Sequence, residues 1–164
     1  MIYKLEEILK KIESALSLLF KNDKLLIDNN TNERTIAHKL ATYLQNEFSD
    51  YNVDFEYNRD GDEIKKIGIP KYRSNSENII NWDDIQQKTV FPDIIIHKRK
   101  TKNNLVVIEV KKSTNKTDKE YDERKLKAFT QEPYNYEVGF FILIDIKNCN
   151  YCYEIFKEGK KIKL

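Results

Sequence analysis

Nowhere does this chain run apolar for the ~18–20 residues that a membrane-spanning helix needs. Its first residues, Met1-Ile2-Tyr3-Lys4-Leu5-Glu6-Glu7, are charged and helix-like, and they lack the apolar centre of a secretory signal. The two absences together predict an intracellular, cytoplasmic protein. Glycine and proline are scarce, 4 and 3 in 164 residues, and neither a low-complexity linker nor an internal repeat divides the sequence. The expectation is one domain over residues 1–164, with residues 1–20 as an N-terminal helical appendage packed on it or at a dimer interface. Only two cysteines occur, Cys149 and Cys152, spaced C-x-x-C. No second cysteine or histidine pair follows to complete a four-ligand zinc site. A thioredoxin-like pair opens a helix after a strand, which this one does not. The two read as reduced thiols at a strand start.

What is present is an ordinary globular composition, 40 % hydrophobic and 34 % charged. A chain of this size buries about 70 % of its unfolded surface and needs no staple. The net charge of +2 says little about partners. Its distribution says more. Lys98, Arg99, Lys100 and Lys102 form one basic group, Lys111, Lys112, Lys116 and Lys119 a second, and Lys157, Lys160, Lys161 and Lys163 a third. Such runs usually mark solvated turns, but two of them flank the carboxylates described below, which fits a phosphate partner.

Residues 2–20 predict an amphipathic helix, with Leu5, Ile8, Leu9, Ile12, Ala15, Leu16 and Leu19 at spacings of three and four. A second helix is predicted from Glu33, with Asn30 as N-cap and Glu33 completing a capping box. Its apolar face is Ile36, Ala37, Leu40, Ala41, Tyr43, Leu44 and Phe48. Residues 53–59 alternate as a half-exposed strand, and residues 64–69 read as its returning partner across an Asp60-Gly61 turn. Residues 70–88 read as a loop or short helix. Two apolar strands follow, Val90 to His97 and Leu105 to Lys111, both suited to a sheet centre. A third helix is predicted over Asp118 to Thr130, with Tyr121, Leu126 and Phe129 facing inward. A strand at 138–146 and a hairpin at 151–164 complete an α/β (α+β) chain with a mixed sheet flanked by helices.

The chemistry is concentrated in Pro92-Asp93, fifteen further residues, and then Glu109-Val110-Lys111. Residues two apart on a strand share a face, so Glu109 and Lys111 point the same way, together with Leu105 and Val107. Hairpin pairing of the two strands can bring Asp93 beside Glu109. Buried charges are rare unless paired or coordinated. Two converging carboxylates tolerate each other around Mg²⁺, a hard ion that takes oxygen ligands. A lysine beside such an ion can orient water or stabilise charge on a phosphate. In isolation the same pattern also fits a strand cap and a cross-strand ion pair. Glu33 adds a third acidic group, because it lies in line with the apolar face of its helix.

Pro92-Asp93 and Glu109-Val110-Lys111, with Glu33 on an upstream helix, resemble the PD-(D/E)xK nuclease superfamily. That group includes restriction endonucleases, archaeal Holliday-junction resolvases and many single-domain phage and prokaryotic proteins. The resemblance spans roughly residues 20–145 and implies a restriction-endonuclease-like mixed sheet between helices. It implies that Glu33, Asp93 and Glu109 ligate Mg²⁺, for which Mn²⁺ can substitute, and that Lys111 assists the water. The implied activity is hydrolysis of phosphodiester bonds, with DNA the expected nucleic acid. Arg59, His97, Lys112 and Gln131 are the expected substrate contacts, and Tyr134 and the loop carrying Lys71, Tyr72, Arg73 and Trp82 are weaker candidates. No second domain for reading a target is evident, so specificity is expected from nucleic-acid structure, a homodimer or a protein partner. Two other readings stay open: a junction- or flap-directed resolvase acting as a homodimer, and a non-catalytic binding module on the same fold.

Overall fold

The first helix, α1 (Leu5–Asn22), forms where apolar residues recur at helical spacing, and Glu7 accepts the Lys4 N–H at 2.7 Å to close its start. The structure is a computed structural model that describes residues 3–56, 59–60, 63–64, 66–70, 85–89 and 91–163. A short helix that the periodicity does not announce, α2 (Lys24–Asp28), leads into α3 (Glu33–Glu47). The cap of α3 differs from the expectation. Asn32, not Asn30, is its N-cap and accepts the Arg34 N–H at 2.8 Å, so Glu33 is the first helical residue and makes no capping box. Asn30 adopts positive φ, and its side chain accepts from Lys112 Nζ and the Thr114 hydroxyl.

The strands in chain order are β1 (Asn52–Phe55), β2 (Arg59–Asp60), β3 (Glu63–Ile64), β4 (Lys66–Pro70), β5 (Ile85–Thr89), β6 (Ile94–His97) and β7 (Asn104–Lys112). After α4 (Glu120–Phe129) come β8 (Val138–Asp145), β9 (Asn150–Lys157) and β10 (Lys160–Ile162). Six of them form one sheet in the order β1-β6-β7-β8-β9-β10. Its neighbours are antiparallel except β7 and β8, which run parallel across the α4 crossover. The fold is therefore α+β, with a mixed, mostly antiparallel sheet. Among the described residues, no helix is long and apolar enough to cross a membrane.

β1 was expected to pair with the segment after Asp60-Gly61. It pairs instead with β6, with Val53 opposite Ile96 and Asp54 opposite Ile95. The apolar β6 offers β1 a buried neighbour that the polar return segment cannot match. The return segment makes its own short ladders, β2 with β3 and β4 with β5. β5 starts inside the stretch read as a loop or short helix, because Ile-Gln-Gln-Lys-Thr carries no alternation. Residues 71–84, with Lys71, Tyr72, Arg73 and Trp82, lie outside the described residues.

The sheet is covered on both faces, which is why its central strands are apolar on both faces over most of their length. One face packs Ile94, Ile96, Val106, Ile108 and Phe140 against Ile12, Leu16, Leu40, Leu44 and Phe48 from α1, α3 and the residue after α3. The other packs Ile95, Val107, Phe141 and Phe156 against Leu126 and Phe129 of α4. Each such large side chain contributes roughly 1.5–3 kcal/mol on burial. Leu105 joins the first face rather than the face of Val107, near the register shift between Ile96 and His97. Gly139 lets α4 approach β8: a Cβ there would meet Thr130 Cγ2 at 3.1 Å and Leu126 Cδ2 at 3.2 Å. The apolar stripe of α1 is buried within the chain, so it is not a free surface for a second copy.

Candidate active site

β6 begins only at Ile94, and β7 continues past it. Ile94 pairs with Ile108, so the same register extended by one residue sets Asp93 opposite Glu109. Beyond the start of β6, two N–H groups of β7 need other acceptors. Asp93 Oδ2 accepts the Val110 N–H at 2.7 Å, and Glu33 Oε2 accepts the Lys112 N–H at 2.8 Å. The carbonyl of Asp93 in turn accepts the Glu56 N–H at 2.9 Å. A strand that is too short thus brings Glu33 from α3 and Asp93 from the β6 lead-in to the same edge.

Glu109 points to the α4 side and is 2 % exposed. Its Oε2 accepts from Lys125 Nζ at 2.5 Å, while Oε1 is buried and has no hydrogen-bond partner among the described residues. Lys111, 5 % exposed, shares that face and donates to Asp122 Oδ2 at 3.0 Å. Asp122 Oδ1 lies 3.3 Å from Lys125 Nζ. Asp122, Lys125, Leu126 and Phe129 fall at i, i+3, i+4 and i+7, so one stripe of α4 brings two charges and two apolar anchors to the sheet. Tyr121, expected inward, is instead exposed, with its ring 5.4 Å from Lys125 Nζ.

Burial pushes the Asp93 carboxyl up to about 6, with Asp122 and Glu33 adding to the rise against the Val110 N–H and Lys125. Glu109 is raised well above the ordinary glutamate range, by burial first and by Asp93 next. Burial works against the charge of Lys125, but Glu109, Asp122 and Asp93 hold its ammonium above the usual lysine range. The centre is therefore a cluster of three carboxyls and two ammonium groups, with Glu109, Lys111 and Lys125 buried and Asp93 and Asp122 partly so, whose acids repel one another.

The expected site residues divide by place. Asp93, Glu109 and Lys111 come together as the spacing implies. Glu33 is close enough to raise Asp93, but both its oxygens are engaged, by Lys112 N–H and by the Asn115 amide at 3.0 and 3.1 Å. Lys112 Nζ donates to Thr31 O at 2.7 Å and to both oxygens of Asn30, tying β7 to the segment before α3. His97 is buried, with Nε2 2.8 Å from Asp54 Oδ2, and Arg99 clasps the same carboxylate. It lies four residues from Asp93, about 13 Å along an extended strand. Gln131 is exposed beyond the far end of α4, about 14 Å along the axis from Asp122. Tyr134 is buried against Phe129 at 5.2 Å. The side chain of Arg59 lies outside the described residues. Lys125 and Asp122 were not foreseen, although their alignment with Leu126 and Phe129 was a readable signal.

Among the described residues no group of three or more His, Cys, Asp or Glu side chains is gathered around a common point as a ready cation cage. The donor set is two carboxyls, Asp93 and Glu109, one with a bare buried oxygen. A scan against protein-family models finds no match for this chain, and a search of curated proteins finds none.

Proposed function

We propose that this chain is a metal-dependent nuclease of the PD-(D/E)xK kind that hydrolyses phosphodiester bonds, with DNA as its substrate. The observation that carries the reading is Glu109 Oε1, a buried carboxylate oxygen without a partner among the described residues, across from Asp93. Orphaned buried acceptors are costly, and a bound metal ion would give this oxygen a partner that Lys125, held on Oε2, does not. Mg²⁺ is commonly held by one or two carboxylates together with water and substrate phosphates, which fits a two-carboxyl set without a full cage.

Asp93 and Glu109 would hold the ion. When bound, a divalent metal acts as a Lewis acid toward a phosphoryl oxygen and makes water more acidic. Lys111 sits on the Glu109 face and offers its ammonium to the attacking water or to a phosphate oxygen. Asp122 fixes the position of that ammonium. Lys125 neutralises Glu109 in the metal-free protein. Glu33 holds α3 against the end of β7 and so positions Asp93 rather than serving as a free ligand. The basic residues after β6 and β7 favour a polyanion as partner.

The test is to incubate the protein with supercoiled plasmid, linear duplex, single-stranded and branched DNA, and RNA, in Mg²⁺, Mn²⁺ or EDTA. Cutting should require the metal and fall at least about 100-fold in both Asp93→Ala and Lys111→Ala. The Lys125–Glu109 pair supports a second reading, a non-catalytic nucleic-acid-binding module, because it already gives Glu109 a cation. Metal-independent DNA binding without cutting, unaltered in Asp93→Ala, would select that reading.

A further inference from the structure

Beside Lys111 the α4 face of the sheet opens into a cavity of about 270 Å³. Register arranges its floor in rows: Glu109, Phe141 and Glu154 are cross-strand partners on β7, β8 and β9, and Lys111, Leu143 and Cys152 form the next row. Phe141, Leu143, Cys152 and Glu154 line the cavity, with Lys111 and Lys119 at its polar side. Adjacent strands are about 4.8 Å apart, so the cavity begins one strand from the candidate active site and shares Lys111 with it.

Glu154 is the feature that needs explaining. Its Oε1 takes Lys161 Nζ at 2.7 Å and Lys119 Nζ at a long 3.4 Å. Its Oε2 is shielded from water and has no hydrogen-bond partner among the described residues. Burial alone would favour the neutral acid, but Lys161 and Lys119 hold the carboxyl below the usual glutamate range, so it is an anionic acceptor with one oxygen unused. Lys119 is more than half exposed and also reaches Glu123 at 3.4 Å, so it can leave Glu154 without losing its only partner.

We propose that this cavity receives one unpaired nucleobase of the substrate strand, next to the phosphate at Lys111, and that the Glu154 carboxylate, uncovered when Lys119 swings aside, accepts a hydrogen bond from the exocyclic amino group of that base. The inference rests on the nuclease reading. Three observations select the occupant. The cavity lies at the small end of ligand sites, which admits a single base and not a base pair. Its floor is apolar, Phe141 and Leu143, which suits a ring. Among the described residues its lining carries a carboxylate with an oxygen unused, and carboxylates accept from the N4 amino group of cytosine, whereas thymine presents carbonyl oxygens there. Cytosine, the smallest base with an amino group, is the assigned occupant. The preferred substrate is accordingly a strand with unpaired bases: single-stranded, branched or locally opened DNA.

The test is fluorescence anisotropy of labelled oligo-dC and oligo-dT with the intact protein in EDTA, so that no cutting is needed. Wild type should bind oligo-dC about fivefold or more tightly than oligo-dT. Glu154→Ala should abolish that preference. Cys152→Phe, which fills the cavity from a position exposed on β9, should abolish it too and guards against misfolding in the first variant. Equal binding of both oligonucleotides by wild type, or a preference that survives both variants, overturns the pocket while leaving the nuclease reading to the cleavage assay. Free dCMP competing as well as oligo-dC would overturn the assignment in favour of a mononucleotide site. Absence of binding to any oligonucleotide in EDTA would overturn the pocket and leave the nuclease reading to the cleavage assay.

Discussion

Lys125 Nζ sits 2.5 Å from Glu109 Oε2, with both side chains at least nine-tenths buried. The ammonium comes from α4 and the carboxylate from β7, so the crossover between two parallel strands carries the counter-ion for a sheet-centre acid. Removal of one partner from a buried pair leaves the other uncompensated. Lys125→Met should therefore cost about 3 kcal/mol at pH 8 in EDTA, measured by urea unfolding. The loss should shrink toward pH 5, because Glu109 then takes up a proton instead. A loss well under about 1 kcal/mol would show that the pair is not a structural element.

The Asp93 carboxyl titrates at about 6 in the folded protein against an ordinary 3.8. The fold prefers its neutral form. The stability that it contributes is full below about pH 4 and is lost as pH rises through about 6. Metal-free protein should soften across that window, and Asp93→Asn should flatten the slope. Divalent-ion affinity should rise over the same window as the proton leaves. Denaturant midpoints from pH 4 to 8, with and without Mg²⁺, check both, and identical slopes in wild type and variant would contradict them.

Glu33 separates a ligand from a positioning residue. Its carboxylate accepts the Lys112 N–H at 2.8 Å and the Asn115 amide. Glu33→Ala should cost about 1–3 kcal/mol by leaving a strand N–H unpaired. Glu33→Gln keeps an acceptor oxygen and should restore most of that loss, with Mg²⁺ affinity near wild type by calorimetry. If the Gln variant weakened Mg²⁺ as severely as Asp93→Asn does, Glu33 would be a ligand.

Asp54 joins His97 and Arg99 at the β1–β6 edge. Burial raises its carboxyl, but Arg99 and His97 outweigh that and hold it below the usual aspartate range. Its contribution to stability is present above about pH 4 and is lost as pH falls through the lowered value. Asp54→Ala should cost about 2 kcal/mol at pH 7, less than a fully buried pair because Arg99 is half exposed. His97→Ala should lower stability and leave oligonucleotide affinity unchanged. A fall in affinity without a fall in stability would restore His97 to the substrate contacts.

Much of the frame was legible because it depends on local pattern. Leu5 to Leu19 and Ile36 to Phe48 recur at helical spacing, and both faces are buried as expected. β6, β7 and β8 are apolar on both faces, which only a covered central strand tolerates. Lys125 was less legible because a lysine on a charged helix reads as solvent-facing, and only its alignment with Leu126 and Phe129 tells otherwise. β5 was illegible because its polar residues alternate with nothing.

The spacing of residues by itself determined that Glu109 and Lys111 share a face, and that the Asp93 and Glu109 strands are central. Side-chain period and apolar content are properties of a short segment. Only the tertiary structure decided that β1 pairs with β6, that Glu33 accepts the Lys112 N–H across 79 positions of chain, and that Lys125 is the counter-ion of Glu109. A strand edge presents the same N–H and C=O groups whatever its sequence, and a buried charge takes whichever partner the packing brings near. Those choices depend on which elements lie adjacent in space, and local pattern does not encode that.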